Sequence, residues 1–438
     1  MSPRDLHDDP LETDVVVVGA GLAGLTAAAV AAEQPGTRVT VLDPHPVGGQ
    51  ARTDVRNGFV FNRGPRALYL SGAGRPILES LGVDTSAGGV PAAKGAMGRV
   101  DGRTLLLPQG LASGIRSPLV GLRDLAQVGP LLARLPKLAD TVEPGQSFED
   151  WITSRRLRPT VAALVRMLAR VATYTNAPDV VDARAVLTNM ALALTDGVRY
   201  LDGGFQRLVD GLLATCERRG VTVVSGDEGR VAHVEVIADD RVVVDLGNRW
   251  ITTRTAVLAA GGPDQAIRLI GSPPPGWTGL GPSPTAACLE LGLRRLPHHR
   301  VVFGVDEPTY LSTHCPPADL APPGHAVVHV MRYQPVDDTM PVDDQRALLH
   351  EVATSAGIDA DDIVEERFLA RMVVTGPLPT AVGGGLAGRP PVEVPDHPGM
   401  LVAGDWVGPT GLLSDAAVAS GAEAGRLAAN RATRMAVA

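Results

Sequence analysis

The stretch that decides the fold is DVVVVGAGLAGLTAAAVAAE, at residues 14–33. Four consecutive valines are typical of a strand that is buried on both faces of a parallel sheet. Three glycines follow in G-x-G-x-x-G spacing, at Gly19, Gly21 and Gly24, and the segment LTAAAVAAE predicts a helix of small residues. This order predicts the first half of a dinucleotide-binding unit, in which the N–H groups of the helix N-terminus face a pyrophosphate.

An acidic residue ends the next predicted strand. The segment RVTVLD finishes at Asp43, about 20 residues past the glycines, where a carboxylate that accepts hydrogen bonds from a ribose is expected. The carboxylate disfavours a 2′-phosphate, and hence NADP, but it does not choose between NAD and FAD. A second match to the glycine pattern, GGGLAG at residues 383–388, precedes RPPVEVP, which cannot begin a helix. We interpret it as a flexible loop and predict no second dinucleotide domain.

Composition limits the class of protein. The chain has 438 residues, enough for two or three domains, and a net charge of −8, which argues against a nucleic-acid partner. Its three cysteines lie far apart, so neither a disulfide framework nor a zinc site is expected, and a reducing compartment is favoured. The N-terminus lacks the apolar core of a secretory signal, and no apolar run could span a bilayer. We therefore expect a cytoplasmic protein.

Two further segments indicate which nucleotide is bound. After the acidic strand end, PHPVGGQAR offers Gly49 for a close backbone approach and Arg52 to neutralise pyrophosphate charge. The segment NGFVFNRGPR predicts a short strand that leads to Gly64 and Pro65. Near the C-terminus, GMLVAGD predicts a buried strand that ends at Asp405, followed by a helix of small residues. The Asp405 carboxylate could bind a polyol, and the N-terminus of the helix could face the pyrimidine edge of a flavin.

With these motifs the chain resembles the flavin-dependent amine oxidase, phytoene desaturase and protoporphyrinogen oxidase superfamily over residues 13–429. The segments YLDGGF, EGRVAHVEV and TAVLAAGG strengthen the likeness. The resemblance implies an α/β fold with a Rossmann-type, discontinuous FAD-binding domain and an α+β substrate domain. The FAD-binding domain would comprise residues 12–75, 200–262 and 385–438, and the substrate domain residues 76–199 and 263–384.

The resemblance also implies a non-covalently bound FAD and a set of cofactor-binding residues. These are Gly19, Gly21, Leu22, Ala23, Gly24, Asp43, Gly49, Gln50, Arg52, Gly64, Pro65, Arg66, Val231, Gly404, Asp405, Leu412, Leu413 and Ser414.

The chain departs from the amine oxidases of this superfamily at three positions. Their substrate-domain lysine has no counterpart, since no lysine follows Lys137. Leu413 stands where an aromatic residue usually helps to form a cage for the amine, and Gln50 replaces an arginine. We therefore expect an enzyme that dehydrogenates an apolar small molecule by hydride transfer to the flavin, with no catalytic side chain identified. The alternatives are an amine or amino-acid oxidase, and a non-redox isomerase or cofactor-binding module.

The partners are less well defined by the sequence. Residues 113–140 alternate apolar with basic residues, which is typical either of a peripheral membrane contact or of short helices that cover the substrate domain. Prolines at 118, 130 and 136 favour the short helices. The oligomeric state stays open. We predict core or solvated roles, and no metal site, for His298, His299, His314, His325 and His329.

Overall fold

The computed structural model describes residues 13–91, 95–108, 114, 117–238 and 241–434. In this part of the chain the strands are β1 (Val15–Val18), β2 (Val39–Asp43), β3 (Asp54–Arg56), β4 (Phe59–Phe61), β5 (Leu68–Tyr69), β6 (Gly88–Gly89), β7 (Met97–Val100), β8 (Arg103–Leu106), β9 (Val198–Leu201), β10 (Thr222–Ser225), β11 (His233–Ala238), β12 (Arg241–Asp245), β13 (Trp250–Thr253), β14 (Thr255–Leu258), β15 (Thr285–Leu293), β16 (Val301–Gly304), β17 (Thr309–Cys315), β18 (Ala326–Tyr333), β19 (Ile363–Val373) and β20 (Met400–Val402).

The α-helices in the same part of the chain are α1 (Leu22–Ala31), α2 (Gly74–Ser80), α3 (Leu122–Ala133), α4 (Leu135–Leu138), α5 (Phe148–Ser154), α6 (Pro159–Thr173), α7 (Ala183–Thr195), α8 (Gln206–Arg218), α9 (Pro263–Ile270), α10 (Val342–Ser355) and α11 (Leu413–Arg434).

A parallel sheet in the order β10-β2-β1-β14-β20 contains the first strand of the chain. The four valines of β1 are buried because this strand has neighbours on both edges and helices on its faces. The predicted order of buried strand, glycine turn and helix is confirmed by β1 and α1. Strands from near both termini meet in this sheet, and all five of these described strands fall in the segments predicted for the FAD-binding domain.

Glycines let α11 pack directly on α1. A Cβ atom at Gly421 would lie 2.3 Å from the carbonyl oxygen of Ala23, and one at Gly425 would lie 2.5 Å from that of Ala27. At Gly24 a Cβ atom would lie 1.9 Å from the carbonyl oxygen of Gly19. Real Cβ atoms do not approach this closely, so Gly421 and Gly425 allow the first and last helices to meet, and Gly24 allows α1 to pack against the turn at Gly19.

A second sheet runs in the order β19-β15-β18-β17-β16-β7-β8. On one of its faces α10 packs through Leu349 and Val352 against Leu289 and Val330. The segments PTAACLELGL and GHAVVHVMRY, whose apolar runs predict strands, form β15 and β18. The opposite face of the sheet, through Leu369 and Met372 of β19, borders the same cleft as the glycine turn.

The segment at residues 113–140 forms short helices where it is described. Helices α3 and α4 cover residues 122–133 and 135–138, whereas residues 113, 115 and 116 lie outside the described residues. Leu122 is 74% exposed. Of the described helices, none is long and apolar enough to cross a membrane.

We predict that Gly421→Ala destabilises the fold by about 1–3 kcal/mol, because the added methyl group forces α11 away from α1. The midpoint of urea unfolding measures this loss. Gly129→Ala is the matched control, since Gly129 also lies in a helix but its Cβ would meet no atom within 4 Å beyond its chain neighbours and its own helix backbone. The control should lower the midpoint much less than Gly421→Ala does, because its methyl group meets only the ring of the following Pro130. Equal midpoints for the two variants would contradict the prediction.

Candidate functional site

A cleft of about 1740 Å³ lies between the glycine turn and the second sheet. Its lining includes the carboxyl ends of β1 and β2, part of β19 and the start of α11. Ligands of open parallel sheets bind at these carboxyl ends. The volume exceeds the roughly 300–1,000 Å³ of an ordinary small-molecule pocket, so it can accommodate a dinucleotide and a second molecule.

The glycine turn presents bare backbone to this cleft. Gly19 has φ +111°, and its Cβ atom would lie 2.6 Å from the carbonyl oxygen of Ala259, so the turn needs glycine there. Gly21 differs, because its φ is −84° and a Cβ atom would meet no protein atom within 4 Å. The space in front of Gly21 is the cleft itself, and the N-terminus of α1 faces it.

Asp43 holds the glycine turn in place from the end of β2. Its Oδ2 accepts the N–H of Ala20 at 2.7 Å, and its Oδ1 accepts the N–H of His45 at 2.8 Å. Because each carboxylate oxygen can accept a second hydrogen bond, the residue retains capacity for a ribose hydroxyl in the cleft that it lines. The same carboxylate can therefore organise the turn and bind the nucleotide.

The structure brings most of the predicted cofactor residues together around the cleft. Those that line it are Gly19, Gly21, Leu22, Ala23, Asp43, Gly49, Gln50, Arg52, Arg66, Val231, Asp405, Leu413 and Ser414.

The other five predicted residues do not line the cleft. These are Gly24, Gly64, Pro65, Gly404 and Leu412. The N–H of Gly404 donates to Ser420 Oγ at 3.0 Å, which links the end of β20 to α11. A Cβ atom on Gly64 would lie 2.5 Å from Met372 Cε, so a glycine there allows β19 to approach.

The C-terminal side of the cleft is formed by Asp405 and the start of α11. Asp405 Oδ2 accepts the hydroxyl of Thr375 at 2.7 Å and the N–H of Gly376 at 3.0 Å. Leu413 has φ +56°, an unusual value for leucine, and it turns the chain into the helix. In the first helical turn, burial raises the pKa of Asp415 to about 6 against the opposing effect of a hydrogen bond from the N–H of Gly74.

A buried charge network, which the sequence did not predict, joins the second sheet to β3 and to the loop at Gly64. Glu290 on β15 is fully buried and accepts the N–H of Gly64 at 2.7 Å. Its other oxygen accepts from Arg367 Nε, and Arg367 also pairs with Asp54 on β3. Burial would raise the pKa of Glu290, but His329, 3.3 Å away, and the Arg367 guanidinium outweigh it and hold the pKa at about 2. The network therefore stays ionised around neutral pH.

A layer of tyrosine and histidine lies behind the wall of the cleft. The chain contains five tyrosines, and the four at 69, 200, 310 and 333 are buried, while Tyr174 is half-buried. Leu369 and Met372 line the cleft on one side and pack against Tyr310 and Tyr333 on the other. Tyr310 and Tyr333 thus belong to a buried cluster whose Leu369 and Met372 line the cleft.

Two of the histidines belong to this layer. The ring of His314 stacks on Tyr200 at 3.7 Å, and His329 lies edge-on to it at 4.3 Å. Burial, with a smaller effect from His329, holds the pKa of His314 well below its usual range, so this ring is neutral. The signal was present in the sequence, because alternate residues of TYLSTHC and AVVHVMRY share one face of a sheet.

Comparison with known proteins identifies the fold. Residues 17–81 match the family described as NAD(P)-binding Rossmann-like domain. No curated protein sequence matches the chain significantly.

Solved structures resemble nearly the whole chain. Cyclohexylamine oxidase from Brevibacterium oxydans IH-35A is similar with a TM-score of 0.73 and 18% identity, over 97% of this chain and 99% of its own. A proposed protoporphyrinogen oxidase from Exiguobacterium sp. 255-15 has a TM-score of 0.69 and 17% identity, over 96% and 100%. Wild-type putrescine oxidase bound to putrescine has a TM-score of 0.71 and 15% identity, over 95% and 98%. The predicted fold class is confirmed, and at these identities the likeness concerns the fold.

We predict that Gly21→Ala weakens nucleotide binding roughly 10- to 100-fold while leaving the stability of the nucleotide-free protein unchanged, because its methyl group occupies only the cleft. Fluorescence titration of cofactor-stripped protein with FAD measures the affinity, and urea unfolding measures stability. Gly129→Ala again serves as the control and should bind as the wild type does. A variant that binds normally would show that the pyrophosphate lies elsewhere.

A second prediction concerns the buried charge network. Glu290→Gln should lower the free energy of unfolding by about 3 kcal/mol at neutral pH, because Arg367 loses a buried partner. Glu393→Gln, which removes the exposed partner of Arg431, should change it by less than about 1 kcal/mol.

This difference should depend on pH. The folded-state pKa of Glu290 lies below its usual 4.5, so its contribution is complete above pH 4.5 and is lost as the pH falls towards 2. The stability advantage of the wild type over Glu290→Gln should therefore shrink below pH 4.5. An advantage that stays constant with acidification would contradict this assignment.

Proposed function

We propose that the protein is an FAD-dependent oxidoreductase that removes two hydrogens from an apolar organic substrate. One observation carries the proposal: a single cleft joins a dinucleotide-binding turn to an aliphatic wall. The wall consists of Leu369, Met372, Val373, Val374 and Leu413. An apolar molecule placed against these side chains would lie beside the nucleotide.

The described residues of the cleft fit FAD from end to end. The bare turn at Gly21 and the N-terminus of α1 would hold the pyrophosphate, with Arg52 supplying positive charge. Asp43 would bind the adenosine ribose and Asp405 the ribityl chain. The N-terminus of α11 would face the pyrimidine edge, where its dipole stabilises negative charge. Bound FAD supplies the hydride acceptor.

The substrate end of the cleft suits an uncharged carbon skeleton. Among the described residues that line the cleft there is no lysine, and Leu413 offers no π face to a cation. The chain would contribute by orienting the reacting carbon and by excluding water from the aliphatic wall. These side chains would position the substrate, and none of them is assigned as an acid or a base.

Amine oxidation is the second candidate. Cyclohexylamine oxidase and putrescine oxidase share the fold, and the tyrosine layer would offer π faces if Leu369 and Met372 moved aside. A non-redox isomerase is the third candidate, since FAD can also serve as a structural element.

Anaerobic mixing separates these three functions. The purified protein should be yellow and should release its flavin on acid precipitation, since no covalent link is expected. Apolar terpenoid or polyketide compounds should bleach the flavin absorbance, whereas cyclohexylamine and putrescine should leave it unchanged. Bleaching by amines alone would favour the second candidate. Turnover of a substrate without net electron transfer would favour the third.

A further inference from the structure

Arg66 lies where the nucleotide end of the cleft meets the aliphatic wall. The loop that carries it approaches β19 so closely that a Cβ atom on Gly64 would lie 2.5 Å from Met372 Cε. Both Arg66 and Met372 line the cleft. The carboxylates whose charges act most strongly on Arg66 are Asp405, at the C-terminal side of the cleft, and Glu290 of the second sheet. Arg66 therefore brings a positive charge to the edge of the wall.

The guanidinium of Arg66 is mostly unpaired. Its Nε donates to the carbonyl oxygen of Asn62 at 3.4 Å, which is long for a hydrogen bond. Nη1 and Nη2 have no hydrogen-bond partner among the described residues, and both are accessible to water. The residue as a whole is half-buried and lines the cleft. The accessible part of the side chain therefore includes the end of the guanidinium, where a ligand in the cleft can reach it.

The neighbouring carboxylates do not neutralise this charge. Gly64 and Arg367 engage both oxygens of Glu290, and Arg66 forms no ion pair with Asp405 or with any other described carboxylate. Burial lowers the pKa of Arg66, and nearby negative charges oppose this only in part. A guanidinium nevertheless stays charged at neutral pH, so the charge is poorly solvated and unpaired. An anion from outside the chain would offset the cost of burying it.

Arg66 differs in this respect from other arginines of the cleft. Arg63 and Arg367 both pair with Asp54. Arg52 would meet the pyrophosphate in the proposed FAD complex. The charge of Arg66 is therefore the one that remains available to a second molecule in the cleft.

We propose that Arg66 binds a carboxylate group of the substrate, so that the substrate is an apolar carbon skeleton with one carboxylate at its end. The inference rests on the proposed function, because it places the skeleton against the aliphatic wall. The two free Nη groups form a fork that matches a planar carboxylate, whereas one guanidinium would leave a phosphate dianion only half neutralised. An aliphatic wall alone does not fix a skeleton along its length. An anchored carboxylate does, and it therefore determines which carbon meets the hydride acceptor.

Isothermal titration calorimetry of the purified protein with its own cofactor tests the site. Decanoate, decanamide and decylamine share one chain length and differ in charge. The wild type should bind decanoate roughly tenfold more tightly than decanamide, because a hydrogen bond between charged groups is stronger than a neutral one. It should bind decylamine most weakly, since Arg66 repels a cation. Equal affinities for decanoate and decanamide, tightest binding of decylamine, or binding of none of the three would overturn the proposal.

Arg66→Gln should bind decanoate and decanamide equally. The matched control is Arg268→Gln, since Arg268 also lines the cleft but its guanidinium is exposed and donates to Gln265. This control should keep the wild-type preference for decanoate. If Arg66→Gln does not fold, Arg66→Lys carries the test and should reduce the preference about threefold, because lysine keeps the charge but lacks the fork. A preference as large as that of the wild type in either variant would contradict the assignment.

The cofactor content of the same samples separates this inference from the proposed function. In the fluorescence titration with FAD, Arg66→Gln should bind the cofactor within about threefold of the wild type, because Arg66 serves the substrate. A loss of FAD affinity of roughly tenfold or more would assign Arg66 to the cofactor and overturn the proposal. A wild type that holds no flavin would instead refute the proposed function, while calorimetry would still show whether Arg66 selects the carboxylate.

Discussion

The close contact between α1 and α11 is the constraint on which the cofactor cleft depends. Gly421 and Gly425 bring the backbones of these helices together, so their N-termini open towards the same cleft. One N-terminus follows the glycine turn at Gly21, and the other begins at Leu413. Two positive helix ends that are held at a fixed separation match a ligand with phosphates at its middle and an electron-accepting ring at its end.

The second sheet is held to the segment that follows β2 by buried charge as well as by apolar packing. Glu290 receives the N–H of Gly64 from one side and Arg367 from the other, and Arg367 reaches Asp54 beyond it. A network of this kind adds little net stability compared with apolar packing, but removing one member is costly. The network positions β19 relative to the loop that carries Arg66 into the cleft.

The glycine-turn half of the cleft could be predicted from the sequence because its determinants are local. Gly19, Gly21 and Asp43 lie within one strand–helix–strand unit, and Asp405 directly follows a short buried strand. The charge network could not be predicted, since Asp54 and Arg367 are 313 positions apart and meet only in the folded chain. For the tyrosine layer, the alternation of side chains along a strand shows which residues share a face of the sheet. Only the fold shows that α10 covers the other face, which leaves the tyrosine face turned towards the cleft.

The electrostatics of the carboxyl groups near the cleft bear on how catalysis could work. A general base is most effective when its pKa lies near the working pH. Glu290, with a pKa of about 2, is too weak a base and has both oxygens engaged. Asp415 has a pKa of about 6, but it contacts Gly74 and does not line the cleft. Neither group is suited to accept a substrate proton directly, so these two carboxyls support the architecture of the site.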